Sequence, residues 1–131
     1  MDLLEEYMKE LGKDTHLDEF TMRDVQMKLP GTRHKWTGRL MRAKISTGRL
    51  NADKKKLVAE LATKLIEQSP VKLSVPVARQ KVQEHESVLN LNLEIQDNQI
   101  IIEFLEKVER IFNSMTFDIR NLTEIMKLET L

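Results

Sequence analysis

The sequence predicts an all-α protein: a few short N-terminal helices, a long basic helix and a long C-terminal amphipathic helix, assembling into a helical oligomer. Three observations carry this. Gly and Pro are scarce, four and three in 131 residues, so few positions interrupt a helix. Apolar residues recur in alternating steps of four and three along two long stretches. Aromatic residues are only 5% of the chain, which is little ring area for a compact core and suits helices that bury a stripe against a neighbour.

The elements follow in order. Residues 2–11 read as a short helix with Leu3, Leu4, Tyr7, Met8 and Leu11 on one face, and Gly12 at the stop. An irregular acidic stretch with Asp14, Asp18 and Glu19 leads into a second short helix over 18–28, which Leu29-Pro30-Gly31 breaks. From 32 to 68 no Pro intervenes, and Trp36, Leu40, Ala43, Thr47, Leu50, Lys54, Leu57, Leu61 and Leu65 form a heptad-like seam. Gly38 and Gly48 each weaken that helix by about 1 kcal/mol. Ser69-Pro70 ends it, and the β-branched, Pro-flanked run from Val71 to Val77 reads as an extended connector.

The last helix begins between Gln83 and Ser87 and meets neither Gly nor Pro to its end. Leu91, Ile95, Asn98, Ile102 and Leu105 continue into Val108, Phe112, Met115, Ile119, Leu122 and Met126, with an extra step of three at Leu105–Val108. Ile100, Ile101, Phe104, Ile111, Phe117 and Ile125 widen the stripe, so this helix needs more than one neighbour. At about 1.5 Å per residue it is roughly 65 Å long, which points to oligomerisation. The expected core of the oligomer is Ile95, Ile102, Leu105, Val108, Phe112 and Ile119. The whole, 1–131, reads as one helical domain: 1–70 the acidic first helix and the basic helix, 71–82 the connector, 83–131 the oligomerisation helix.

Net charge is zero, but the zero conceals blocks. Residues 1–22 carry −5, 23–56 carry +9, 57–83 carry +2 and 84–131 carry −6. A concentrated basic segment is the footprint of a polyanion binder. The alternative is pairing of the basic helix with the acidic C-terminal helix, within or between chains. Lys35, Arg42, Arg49 and Lys56 recur every seven residues, with Arg39 four after Lys35. On a helix these form a stripe beside the apolar seam, spaced about 10 Å along the axis, which a single strand is able to track. The candidate polyanion-contacting residues of this segment are Arg33, Lys35, Trp36, Arg39, Arg42, Arg49, Lys54, Lys55 and Lys56. Trp36 is open to two readings, a platform for base stacking or an anchor of the seam.

Catalysis finds no support. His16, His34 and His85 lie in no metal-ligand spacing, and there is no Gly-rich phosphate loop and no nucleophile elbow. No cofactor is expected. The absence of Cys, of a signal-like start and of an apolar run of membrane-spanning length leads to the expectation of a cytoplasmic protein without a membrane partner.

Two stretches resemble the UvsY family of phage recombination mediator proteins. The first is Glu10-Leu11-x-Lys13-Asp14-x-x-Leu17-Asp18, followed by Lys35-Trp36 and the basic helix. The second lies within 93–128, in Ile102-Glu103-Phe104-Leu105-Glu106 and Phe112-Asn113-Ser114-Met115-Thr116-Phe117-Asp118-Ile119-Arg120-Asn121. The resemblance implies a non-enzymatic protein of recombination, repair and replication in the cytoplasm of a phage-infected bacterium. Its implied partners are single-stranded DNA, a RecA-like recombinase, the single-stranded DNA-binding protein and further copies of itself in a ring of more than two chains. Its implied role is to load the recombinase onto strands already coated by the single-stranded DNA-binding protein. Many members carry a Leu-Lys-Ala-Arg-Leu run late in the basic helix that is implicated in DNA binding. Here the matching run is Leu61-Ala62-Thr63-Lys64-Leu65, so Lys64 stands for the Arg, which adds it to the candidate DNA contacts, and Ala62 lacks the Lys. That departure places the expected DNA surface on the earlier stripe, 33–56. The acidic face of the first helix, with Glu5, Glu6 and Glu10, is the expected docking point for a protein partner. The competing reading is a helical adaptor or scaffold without DNA binding, in which Arg42 and Arg49 pair with Glu103, Glu106 or Glu109.

Overall fold

The computed structural model describes residues 2–130. Among these the elements are α1 (Asp2–Asp14), α2 (Met22–Gln68), α3 (Val75–Lys81), a 3-10 turn (Val82–Glu84) and α4 (Glu86–Glu129). The protein is all-α, with two long helices of 47 and 44 residues.

Helix α1 opens on Asp2 and Glu5 and closes on Lys13, the charges its dipole favours at each end. It runs through Gly12 to Asp14, past the stop expected at Gly12. Its final turn is held from outside, because Glu10 and Asp14 are both bound by cations of α2. Asp18 then caps α2. Its Oδ1 accepts from the backbone N–H of Phe20 and of Thr21, while the Thr21 hydroxyl accepts from the Asp18 N–H. This is a reciprocal capping box built from Asp and Thr.

The expected break at Leu29-Pro30-Gly31 does not occur: Pro30 lies inside α2. Proline deprives the Gln26 carbonyl of its helical donor, but both residues are exposed, so that carbonyl is left to solvent. Packing holds the helix on either side of it. Val25 and Leu29 are half-buried, the Met22 sulfur meets the Thr123 hydroxyl of α4 at 3.8 Å, and Trp36 and Leu40 are buried. Local propensity is overridden by tertiary contact.

The chain divides into two compact units. The first comprises the described residues of Met1–Arg42 and Ile101–Leu131; the second is Ala43–Ile100. In the first, Trp36, Leu40, Ile101, Leu105, Val108, Phe112, Met115 and Ile119 are buried. The α4 residues among these are spaced 4-3-4-3-4. Ile101 takes the buried place expected of Ile102, so the extra three-residue step falls at Asn98–Ile101 and not at Leu105–Val108. In the second unit Val58, Ala62, Ala78, Val82 and Val88 form the core, with Leu57, Leu61, Leu65 and Ile66 packed against it.

Of the run from Val71 to Val77 expected to be extended, 71–74 lies outside any helix, but Val75 to Val77 already belong to α3. Ser74 is the N-cap of α3, its hydroxyl accepting from the Val77 N–H, and Pro76 sits in the first turn, where its missing N–H has no helical partner to lose. Ala78 and Val82 then turn inward. His85 starts α4, its Nδ1 accepting from the Ser87 N–H and its carbonyl from Val88 and Leu89.

The residues expected to form the oligomer core are satisfied within the chain. Ile95, Leu105, Val108, Phe112 and Ile119 are buried and Ile102 is half-buried. With so broad a stripe, the seam residues close on the chain's own helices. What α4 leaves exposed is Ile111, Phe117, Ile125 and Leu128 in the first unit, and Leu89, Leu93 and Ile100 in the second.

Candidate nucleic-acid interface

The basic stripe is divided by what its members touch. Lys35, Trp36 and Arg39 fall on one face of α2 at steps of one and three, opposite Glu10 and Asp14, one turn apart on α1. Arg39 donates from both terminal nitrogens to Glu10, at 2.6 and 3.2 Å. Lys35 donates to Asp14 at 2.6 Å and to Glu10 at 3.1 Å. The Trp36 indole N–H donates to the same Asp14 oxygen at 2.9 Å. The guanidinium of Arg39 lies 4.8 Å from the Tyr7 ring centre and 4.6 Å from that of Trp36. Tyr7 and Phe104 meet the indole edge to face, at 5.5 and 6.5 Å.

Trp36 is 1% exposed, so its ring presents no surface to a base. The packing reading of Trp36 replaces the stacking one, because Tyr7, Phe104 and Arg39 already fill the space around the indole. Lys35 and Arg39 have carboxylate partners of their own. Glu10, expected on a docking face, is a structural member of this clamp, while Glu5 and Glu6 are exposed. The sequence signal lay in two i, i+4 pairs of opposite sign, Glu10/Asp14 and Lys35/Arg39.

These contacts move the titrations. The hydrogen bond from Arg39, opposed by some burial and aided by Lys35, lowers the Glu10 carboxyl below its ordinary 4.5. Burial opposes the charge on Lys35, but hydrogen bonds to Asp14 and Glu10 outweigh it and raise the ammonium above 10.5. Backbone donation from Thr21, opposed by some desolvation and aided by Phe20, lowers the cap carboxylate of Asp18. A lowered carboxyl contributes stability that is complete above its unfolded value and is lost as pH falls through the folded one. A raised Lys contributes below its unfolded value and is lost as pH climbs through the folded one. The clamp is therefore expected to hold across neutral pH, to release at acid pH below 4.5 and at alkaline pH above 10.5. Trp36 is the only Trp, so its emission reports the release directly. A red shift with its midpoint at or above pH 4.5 would contradict the assignment.

The remaining cations differ. Arg33 donates to the Asn113 side chain and is exposed. Arg42, in the first unit, is exposed; Arg49, Lys55, Lys56 and Lys64, in the second, are exposed; and Lys54 is half-buried. Among the described residues, none of these last six makes an ion pair or a side-chain hydrogen bond. The pairing of Arg42 and Arg49 with Glu103, Glu106 or Glu109 that the adaptor reading requires is not seen.

Lys54 and Lys55 also line a groove of about 790 Å³ in the second unit, together with Asn51, Arg79 and Gln83. Gly48, Ala52 and Val58 complete it, and among the described residues no carboxylate lines it. Arg79 and Gln83 were not among the expected site residues, because Arg79 lies in the segment that read as a connector and Gln83 at the start of the expected oligomerisation helix. The Ser74-x-Pro76 start signal was the clue to a helix there. Ala62, where the resemblance leads one to look for a Lys, is 2% exposed and belongs to the core with Ala78 and Val88. In this chain that position faces other helices, and of the five-residue run only Thr63 and Lys64 are exposed.

Among the described residues no three His, Cys, Asp or Glu side chains cluster to hold a metal. No helix among them is long and apolar enough to cross a membrane.

Neither a protein-family model nor a curated protein matches the sequence. Solved structures do. The crystal structure of the bacteriophage T4 recombination mediator protein UvsY in lattice type IV matches with a TM-score of 0.82 at 18% identity, covering 96% of this chain and 98% of that one. Lattice type II of the same protein gives 0.78 at 18% identity over 98% of each chain. Lattice type III gives 0.75 at 20% identity, again over 98% of each. Over nearly its whole length, then, the chain has the fold of the bacteriophage T4 recombination mediator UvsY.

Proposed function

We propose that the protein is a recombination mediator that binds single-stranded DNA and promotes loading of a RecA-like recombinase onto strands coated by single-stranded DNA-binding protein. The observation that carries this is the set of exposed α2 cations without a partner among the described residues: Arg42 in the first unit, and Arg49, Lys55, Lys56 and Lys64 in the second. Exposed cations on a rigid helix are ready counterparts for phosphates, and their contacts release counterions. The likeness to a recombination mediator along almost the full chain, together with the sequence resemblance, supplies the biological setting. Lys35 and Arg39 shape the clamp, and Lys54 works beside Lys55. Self-association runs through the apolar residues that α4 leaves exposed, not through those it buries, and several subunits then share one strand by avidity.

The test is binding of a fluorescent oligo-dT, against a duplex control, over a salt series. Arg42→Ala/Arg49→Ala is expected to weaken binding to all single strands alike. The slope of log affinity against log salt should fall by about 0.7 for each phosphate no longer neutralised. Absence of binding by the unmodified protein at low salt would give the adaptor reading the lead.

A further inference from the structure

We infer that the groove of the second unit seats one phosphate-bearing nucleotide, with Arg79 of α3 and the lysines of α2 on the phosphate and Asn51 and Gln83 on the sugar or base. The inference rests on the proposed binding of single-stranded DNA and adds to it a built site, with residues from a helix outside the basic stripe.

Three features of the groove converge. Its cations come from two separate helices, Lys54 and Lys55 from α2 and Arg79 from α3, and among the described residues no acid lines it. Among the described residues none of the three has an ion-pair partner. Like charges gathered in one concavity repel one another, and an anion between them reverses the sign of that interaction. The space suits a nucleotide: about 790 Å³ is within the range of small-molecule sites.

The wall is shaped for a flat group as well. Gly48 and Ala52 are one turn apart on α2 and project almost no side chain, and nothing lies within 4 Å of where a Cβ on Gly48 would stand. Below them Val58 is apolar and buried. A base or sugar is thus able to lie against bare helix while its phosphate meets the cations. Asn51 and Gln83 each bring both a donor and an acceptor, which suits base edges and is wasted on a phosphate alone. Arg79 contributes the forked geometry that pairs with two phosphate oxygens at once.

The shared chemistry, a phosphate carrying a sugar and a base, comes either from a strand or from a free nucleotide. The experiment separates them on the full-length protein. Anisotropy of fluorescent oligo-dT is followed across a salt series, and thymidine triphosphate binding is followed by calorimetry. Both are done for the unmodified protein, Arg79→Ala, Arg79→Lys and Gln83→Ala, with helicity checked by circular dichroism. For a strand in the groove, Arg79→Ala weakens oligo-dT binding and lowers the salt slope by about 0.7, while Arg79→Lys restores the slope. Gln83→Ala weakens binding without changing the slope, since it carries no charge. If the unmodified protein binds oligo-dT and Arg79→Ala matches it in affinity and slope, the groove assignment is overturned and the mediator reading stands. If oligo-dT is not bound but the triphosphate is, in an Arg79-dependent way, the groove stands as a nucleotide site and the strand-binding reading falls. Binding of neither overturns both.

Discussion

Replacing Trp36 with alanine is expected to destabilise the first unit by about 3–5 kcal/mol. The indole is the largest fully buried side chain, enclosed by Tyr7, Phe104 and Arg39. Truncation removes the ring that α2 places between Tyr7 of α1 and Phe104 of α4, where helix-borne neighbours cannot collapse inward. It also takes one donor from Asp14, leaving Lys35 as its partner. Trp36→Phe keeps one aromatic ring in place and loses the N–H together with the pyrrole part of the indole. A loss of about 1–2 kcal/mol is expected there. Denaturant unfolding followed by circular dichroism measures both, since the fluorophore itself is removed. Oligo-dT affinity of folded Trp36→Phe should equal that of the unmodified protein. A Trp36→Ala loss under about 1 kcal/mol would show that the ring does not anchor α1.

Ala62→Lys is expected to destabilise the second unit by about 2–4 kcal/mol. This change rebuilds the Leu-Lys run that the family resemblance leads one to look for, yet Ala62 here packs with Ala78, Val82 and Val88 and is 2% exposed. A four-carbon stem overfills a contact made by small side chains, and its ammonium enters an apolar cluster with no carboxylate in it. Snorkelling of the stem relieves part of the penalty, which is why the range stops short of that for a fully trapped charge. Thr63→Lys, one position on and exposed, is the control and should stay within about 0.5 kcal/mol. If Ala62→Lys were as stable as the parent and bound oligo-dT more tightly, position 62 would belong to the DNA surface after all.

Much of this protein was legible without coordinates, for reasons particular residues make plain. The 4-3 spacing of Trp36, Leu40, Ala43, Thr47, Leu50 and Leu57 marks a face of α2, and none of these residues is fully exposed in the structure. The same holds for Leu105 to Met126 on α4. Periodicity is a property of the helix itself, so a sequence displays it before any partner is known. The absence of metal-ligand spacing is equally local. Ser74 followed by Pro76 is an equally local helix-start signal, which the extended reading of Val71 to Val77 left unused, since a proline in the first turn favours a helix.

The misjudged positions are those where two segments distant in sequence decide the outcome. Pro30 reads as a break because its missing N–H is a local fact, while the contacts of Met22 and Trp36 that carry α2 past it are not. Charge blocks show that basic residues 23–56 need a counterpart or a ligand. They do not show that Lys35 and Arg39 are met by Glu10 and Asp14 while Arg42 and Arg49 are not. Hydrophobic breadth on α4 shows that more than one neighbour is required, and only packing shows that Leu105, Val108 and Phe112 are buried by the chain itself.

The sequence by itself determined the all-helical class, the apolar faces of the two long helices and the excess of positive charge along the first of these, because propensity, period and charge are carried residue by residue. The tertiary structure alone decided which of those charges are spent in the clamp on α1, which have no ion-pair partner among the described residues, and that Arg79 joins Lys54 and Lys55 around one groove. Those outcomes depend on distances between residues up to 29 positions apart, as Arg39 and Glu10 are, and such distances are set by packing and not by local preference.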